Sequence, residues 1–502
     1  VKRLLAVLVL VLVAALFVVT WVPIRQSREL WLAHHDAEAI AKAESWSRLH
    51  LWPTQYHQLL AATYLEVGNH NAAKVHLAAI GSPWISAIAK DDVARRLKLD
   101  DFAAYDAASH ERDSPVVVRY RQAIEQRKQA GSYPLVFDRN GQAIAMYQIT
   151  NHDLVAINRD FEPLLLTFAA NLPRIGADDT IDTTLDPDVQ KAALQALGGF
   201  RGALVAIDPR TNELLAVASN RGHGELANLA FDQQYEPGSI VKVLTGLNAL
   251  ESGVDVNSMF PYDCKGDLLI DGRHFGDWIG SGHGVLPALD DALAQSCNIA
   301  FADIGLRVGA DRLHRFMSSA GFDQQANLEL FSVPLGKSVG QTFNRYETAL
   351  YSIGLAHESV NALHVAMIGS MMANRGVMTT PRLLRERRSI IGEVKSRAAA
   401  QTRTKLASPE HAEAMVRAMV AVATSPKGTG RRAPVDGVPM AMKTGTAGER
   451  ANGGLEALIV AFAPVDHPRI AFGIIAEDAG PAEYAGAKTA HDFLAAWRLL
   501  AH

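Results

Sequence analysis

Three short motifs, each present once, stand far apart along this chain: Ser239-Ile-Val-Lys242, Ser296-Cys-Asn298 and Lys443-Thr-Gly-Thr446. A fold in which they act together has to bring the middle of the chain against its last fifth. The residue types say why they would act together. A serine hydroxyl is a weak nucleophile and needs a base beside it. A lysine three residues on, at the start of a helix, lies one turn along on the same face. The second motif adds a hydroxyl and a carboxamide. The third adds a cation and two hydroxyls on an expected strand. Singly, each has an ordinary structural reading: Ser239 as a helix cap, Lys242 as a solvated helix residue, Asn298 as a turn or cap, Lys443 as a surface strand charge. Jointly, one serine acyl-transfer site without histidine accounts for all of them.

Roles follow from the chemistry. Backbone amides at a helix N-terminus favour negative charge, so the amide of Ser239 suits a developing oxyanion, with that of Thr446 as its second donor. Lys242 must be neutral to accept a proton, and burial or a facing cation such as Lys443 would lower its pKa. Ser296 can relay a proton to a leaving amine, and Asn298 can hold a substrate amide. Lys443, Thr444 and Thr446 suit a terminal carboxylate. Gly445 leaves room for an extended substrate along the strand edge.

Length, at 502 residues, allows two to four domains. With 48% hydrophobic and 20% charged residues, the mix is that of a globular protein, and a net charge of −4 gives no reason to expect nucleic acid. The 18 histidines include no His-Glu-x-x-His spacing, so no metal and no cofactor are expected. Leu4 to Ile24 carry no charge. That run is long enough to span a bilayer, and Lys2 and Arg3 before it favour a cytoplasmic N-terminus. The expectation is an uncleaved signal anchor, with a cleaved signal peptide as the alternative. Both cysteines, Cys264 and Cys297, would then lie outside the cytoplasm. They can form a disulfide there or remain small buried thiols, and the sequence leaves this open.

From about Ser27 to Arg112 the pattern is helical. Leu60, Ala61, Tyr64, Gly68, Ala73 and Leu77, with Pro83 beyond, fall at tetratricopeptide offsets, and Ala39 lies one such period before Ala73. A small spacer bundle and a partner-binding platform both fit. Leu135–Phe137 and Ala143–Tyr147 flank Asp138-Arg-Asn-Gly141 as a hairpin. A helix is expected from Pro187 to Leu197, capped by Asp186. Strands are expected at Ala203–Ile207, Leu214–Ala218, Leu458–Phe462 and Ile470–Ile475. Helices are expected from Ser239 to Leu250, from Leu286 to Val308 and from Ala487 to Leu499. Strands at both ends with helices between them indicate an α+β domain.

With these residues in view, the chain resembles the class B penicillin-binding proteins, membrane-anchored peptidoglycan transpeptidases, over about Leu135 to Ala487. Tyr235-Glu-Pro-Gly-Ser-Ile-Val-Lys242 is similar to the family's nucleophile segment. Arg273-His-Phe-Gly-Asp-Trp278, Gly282-His-Gly284 and Ala292-Leu-Ala-Gln-Ser-Cys-Asn298 resemble the elongation-type branch. Ala373-Asn-Arg-Gly-Val377 and Lys427-Gly-Thr-Gly430 also fit.

The resemblance implies an antiparallel sheet between helical layers. Together with the apolar run and the helical pattern, it divides the chain into a transmembrane helix (1–25), a helical tetratricopeptide-like segment (26–130), a reduced pedestal (131–185) and a transpeptidase domain (186–502), the helical segment and the reduced pedestal being departures from the family's pattern. It implies that Ser239 attacks a D-Ala-D-Ala stem peptide, releases D-alanine and passes the acyl group to a neighbouring stem, with β-lactams acylating the same serine. A D,D-carboxypeptidase and a non-catalytic envelope scaffold using the helical repeats are the alternatives. The expected place is the bacterial cytoplasmic membrane, single-pass, with the catalytic domain outside and a role in cell shape. The glycosyltransferase motif of class A relatives is absent, so glycan polymerisation is not expected. Met442 stands where the family has glycine and is expected to narrow the groove. Glu456-Ala-Leu-Ile459 replaces the common His-Ala-Trp-Phe, so acceptor binding or β-lactam affinity is expected to differ.

Overall fold

The computed structural model describes residues 21–31, 35–45, 53–67, 69, 71–72, 75–76, 115–175, 179–222, 227–338, 343–356, 358–392, 394–398, 400–448 and 454–500. The chain divides into two compact units. The first comprises 1–133, 178–180 and 388–394, and the second 134–177, 181–387 and 395–502.

The second unit is built on a five-stranded antiparallel sheet. Its strands are β1 (Gly202–Asp208), β2 (Glu213–Asn220), β3 (Ala441–Ala447), β4 (Glu456–Ala463) and β5 (Ile470–Ala476), in the order β3-β4-β5-β1-β2. The four strands expected from sequence are present, each slightly longer. β4 and β5 are buried at almost every position, and β1 at every one. Such strands read as continuous apolar runs because both faces are covered. One face carries α1 (Pro187–Leu197) and α6 (Ala485–Leu500), where Phe493 meets Phe472 of β5 edge-to-face with centroids 5.0 Å apart. The other carries α5 (Ala362–Ala373), every residue of which is buried. The antiparallel sheet between helical layers is therefore as expected.

Local signals explain the frame. Asp186 caps α1 by accepting from the amides of Asp188 and Val189, with Pro187 in the first turn. The nucleophile region forms α2 (Val241–Glu251), buried from Val241 to Ala249 and so apolar on all sides. One expectation changes. Leu286–Val308 is not a single helix but α3 (Leu289–Ala294) and α4 (Asn298–Val308). The break has a visible cause: Ser296 takes a left-handed φ of +57°, and Cys297 becomes the N-cap of α4. Strands Ser132–Phe137 and Ala143–Gln148 lie side by side around the expected turn, where Asp138 Oδ1 accepts the amides of Asn140 and Gln142. The first of these strands also runs parallel to Thr180–Thr183, pairing Val136 with Ile181.

The first unit contains the helices Asp36–Glu44, Pro53–Glu66 and Pro115–Ala130. Ala43, Tyr56 and Leu60 form a small core with Ile24, Ile40 and Tyr64 against it. Of the tetratricopeptide positions, Ala39, Leu60 and Ala61 are buried and Tyr64 half-buried, while Gly68, Ala73, Leu77 and Pro83 lie outside the described residues. Most of the apolar run Leu4–Ile24 also lies outside them. Among the described residues no helix is long and apolar enough to cross a membrane.

Candidate active site

The three motifs meet. Ser239 lies in a 3-10 turn, Gly238–Ile240, that leads directly into α2. Lys242, one turn along, is completely buried, with Nζ 3.0 Å from Ser239 Oγ. Nζ also donates to the carbonyl of Ser296 at 2.8 Å and to Asn298 Oδ1 at 2.6 Å, and lies 3.2 Å from Ser296 Oγ. From β3, Lys443 donates to Ser296 Oγ at 2.9 Å and to the carbonyl of Thr444 at 2.7 Å. The Ser296 hydroxyl is thus shared by two lysines, both wholly inaccessible to water. The strained φ of Ser296 turns it and Asn298 toward Lys242 from a helix break, a geometry that a continuous helix would not supply.

Burial is the main electrostatic cause here. It pushes Lys242 down to about 8, against the upward pull of Asp277 and of Cys297 and Cys264. It pushes Lys443 down well below the usual ammonium range, and the charge of Lys242 pushes it further. The expected arrangement, in which Lys443 supplies the cation that depresses Lys242, is not what the free site favours. Burial lowers both lysines, and an arriving carboxylate would favour the charged form of Lys443.

Gly238 has φ +50°, and a Cβ on it would stand 2.7 Å from the carbonyl oxygen of Thr446. The nucleophile turn therefore packs backbone to backbone against β3, which sets Ser239 and Thr446 alongside each other. Gly445 has a different reason from the one expected. A Cβ there would meet the Pro237 carbonyl at 2.8 Å and Ile240 Cγ2 at 2.9 Å, so this glycine makes room for the nucleophile turn rather than for a substrate. Thr444 and Thr446 share one face of β3. Thr444 Oγ1 lies 2.7 Å from Thr429 Oγ1, and Thr446 Oγ1 accepts the amide of Ala482. Thr429 belongs to Lys427-Gly-Thr-Gly430, a stretch whose residue types alone point to no role. Met442 is fully buried and reaches toward Gly430, so it does not narrow the groove.

Behind the second motif lies a further cluster. Asp277 Oδ2 accepts the amides of Asn298 at 2.8 Å and Ile299 at 3.3 Å, and Oδ1 lies 3.1 Å from His283 Nε2. The side chains of His283 and Asp277 are 2% and 0% exposed. Burial raises the Asp277 carboxyl, but the hydrogen bond and charge of His283, with Lys242 beyond, outweigh it and hold it down at about 2. Cys264 and Cys297 are both buried, with their sulfurs 2.8 Å apart, so the fold brings the two side chains together. One ligand atom from each of Cys264, Asp277, His283 and Cys297 lies within 4.8 Å of the others. Two sulfurs, an imidazole and a carboxylate are donors that suit a zinc-like divalent ion. The sequence reading expected no metal. These four residues come from separate segments and carry no recognisable ligand spacing, so only the fold reveals them.

Fold and site together define a serine–lysine acyl-transfer protein. Residues 202–496 match the family described as the penicillin binding protein transpeptidase domain, and the chain belongs to that family. It is 28% identical over 352 residues to the peptidoglycan D,D-transpeptidase PbpA of Mycolicibacterium smegmatis, covering 62% of this chain and 70% of the relative. It is 29% identical over 341 residues to the peptidoglycan D,D-transpeptidase MrdA of Acinetobacter baumannii, where it spans half of the relative's length. Among solved structures, the D,D-transpeptidase domain of a peptidoglycan glycosyltransferase from Eggerthella lenta has the same fold. The TM-score is 0.62 at 23% identity, with 74% of this chain and 99% of that one covered. The imipenem acyl-enzyme complex of penicillin-binding protein A from Mycobacterium tuberculosis matches with a TM-score of 0.60 at 23% identity, covering 73% and 98%.

Proposed function

We propose that this protein is a peptidoglycan D,D-transpeptidase acting through an acyl-enzyme on Ser239. The observation that carries the reading is Lys242 Nζ at 3.0 Å from Ser239 Oγ, fully buried and pushed down to about 8. A lysine so placed has a substantial neutral fraction at physiological pH and can act as general base. In the first step Ser239 Oγ attacks the carbonyl carbon of the penultimate D-alanine, and its proton passes to Lys242 Nζ. The amides of Ser239 and Thr446 hold the oxyanion. Ser296, between the two lysines, relays the proton to the nitrogen of the departing D-alanine as the C–N bond breaks. Asn298 holds the substrate amide. The stem's terminal carboxylate sits on Lys443 with the hydroxyls of Thr444 and Thr446. In the second step an amine of a neighbouring stem attacks the ester, gives up its proton along the same route, and frees Ser239.

β-Lactams acylate Ser239 by the same first step. The run Leu4–Ile24 anchors the protein in the cytoplasmic membrane with the catalytic unit outside, and the resemblance of Arg273-His-Phe-Gly-Asp-Trp278 to the elongation-type branch supports a role in cell shape. The helical segment before the catalytic unit serves as spacer or partner-binding platform.

Covalent labelling with a fluorescent penicillin tests the reading. Stable, stoichiometric label on the wild type, absent in Ser239→Ala, is expected. Release of D-alanine from paired stem peptides with formation of a dimer marks a transpeptidase, whereas D-alanine release without dimer marks a carboxypeptidase. Rapid loss of the label marks a lactamase, and a folded chain that takes neither label nor stem peptide is a scaffold.

A further inference from the structure

The segment after the helix Arg345–Tyr351 is bonded to the nucleophile segment at three places. Thr245 Oγ1 donates to the carbonyl of Ser352 at 2.8 Å, and the amide of Gly238 donates to the carbonyl of Gly354 at 3.1 Å. Tyr235 and Val360 exchange amide–carbonyl bonds of 2.9 and 2.8 Å. Contact at the middle tie is close: Gly354 has φ +81°, and a Cβ on it would stand 2.1 Å from the Gly238 carbonyl oxygen. The position of Ser239 therefore depends on how this segment is seated.

Glu358 lies on the segment between the second and third ties. It is 1% exposed. One carboxyl oxygen accepts the amide of Ala356 at 2.8 Å, which fixes the turn that presents the Gly354 carbonyl. Its Oε1 is buried without a hydrogen-bond partner among the described residues. Among the described residues, the titratable groups that act on it are Glu236, from the nucleophile segment, and Tyr351, at the end of the preceding helix. Neither is a cation. Burial is the dominant influence and pushes the carboxyl up to about 8; its own amide and that of Ala356 pull down, and Glu236 adds to the rise. A buried carboxyl with one bonded oxygen, one orphaned oxygen and a like charge nearby is held uncharged.

We propose that Glu358 is a positioning residue for Ser239, seating the backbone of 352–356 against the nucleophile turn while its carboxyl is uncharged and unseating that turn once it ionises. The proposal rests on the acylation of Ser239 proposed above. Ionisation draws water to a carboxylate that the closed segment cannot solvate. The segment opens to admit it, and the Gly354–Gly238 tie is the contact nearest to the nucleophile that loosens. Nothing in the motifs marks this residue.

The test is the acylation rate of the full chain in detergent with a fluorescent penicillin, from pH 6 to 10, for wild type, Glu358→Gln and Glu358→Ala. Glutamine keeps the shape and cannot ionise. In the wild type the rate is expected to climb as Lys242 loses its proton, peak near pH 8, and then fall by up to about tenfold per pH unit as Glu358 ionises. Glu358→Gln is expected to keep the climb and hold a plateau to pH 10. Glu358→Ala, which frees the Ala356 amide, is expected to acylate more slowly at every pH. A purely packing role would leave wild type and Glu358→Gln with the same profile, and that result overturns the proposal, as does a wild type with no alkaline fall. Failure of the acylation reading is distinguishable, because then no variant labels at any pH. Thermal melting reads Glu358 separately. A carboxyl raised from 4.5 to about 8 on folding stabilises fully below the lower value and loses that contribution as pH rises through the upper one. Wild type should therefore lose melting temperature relative to Glu358→Gln as pH rises from about 5 to 8, and the difference should level off above that. Parallel melting curves overturn the proposal whatever the labelling shows.

Discussion

Lys242 carries two demands that oppose each other. Burial makes it a base, and burial also makes it costly. Its fall from 10.5 to about 8 corresponds to a penalty on the order of 3 kcal/mol against the charged form near neutral pH. For a base depressed on folding, the favourable state is complete above the unfolded value and is lost as pH falls through the folded one. Lys242→Met escapes that titration but leaves Asn298 Oδ1 and the Ser296 carbonyl without their donor, at about 1–3 kcal/mol. The expected signature is therefore in the pH dependence. The variant's melting temperature gains on wild type as pH falls from 10 to 7, while acylation drops about 10²–10⁴-fold. A melting difference that is flat across this range would contradict a titrating Lys242. The pairing of Ser239 with Lys242 was legible in the sequence because a helical spacing of three is local. The sharing of Ser296 by two lysines was not, because it depends on a strand from the far end of the chain.

At the scale of elements, the site is a junction of one turn, one helix break and one edge strand. The turn and the strand touch through glycines. Gly445→Ala places a methyl against the Pro237 carbonyl and Ile240, which cannot retreat without moving the turn that bears Ser239. Labelling should slow at least about 10²-fold, as a misplacement of about 1 Å at a reacting group does, while circular dichroism stays that of a folded protein. Wild-type labelling in this variant would mean that the turn and strand are not in contact. The helix break is held from behind by Asp277, which accepts the amides of Asn298 and Ile299. Asp277→Ala leaves both donors unpaired and should cost about 1–3 kcal/mol, read as a lower melting temperature together with slower acylation. A sequence scan reads a helix through Leu286–Val308 because the apolar periodicity runs on. What interrupts it is the left-handed Ser296 and the capping sulfur of Cys297. A serine–cysteine pair is not a turn signal, so the local pattern misleads exactly where tertiary contacts over-determine the backbone.

The whole molecule depends on pairing distant segments. β1 hydrogen-bonds to β5, setting Val205 against Gly473 and Ala203 against Ile475. β5 is an interior strand of the sheet although it lies near the end of the chain. Removing residues 470–502 should therefore leave β1 and β4 as unpaired, buried edges and prevent folding of the catalytic unit. Loss of cooperative melting and of penicillin labelling together would show it, and a cooperatively melting truncated unit would refute it. Such long-range pairing also predicts slow refolding, since the chain entropy of closing long loops is lost before the contacts reward it.

The sequence by itself determined the chemistry and most of the elements. Ser239, Lys242, Ser296, Asn298 and Lys443 are all picked out by the local spacing of their motifs. The strands and caps follow from apolar runs and from residues such as Asp186 and Pro187. Only the tertiary structure decided the burial of Lys242 and Lys443, the meeting of Cys264 and Cys297, their clustering with Asp277 and His283, the inward turn of Met442 and the sealed carboxyl of Glu358. These depend on burial and on distances between residues remote in sequence. Periodicity tells which face of an element is apolar but not which groups from elsewhere will stand against it.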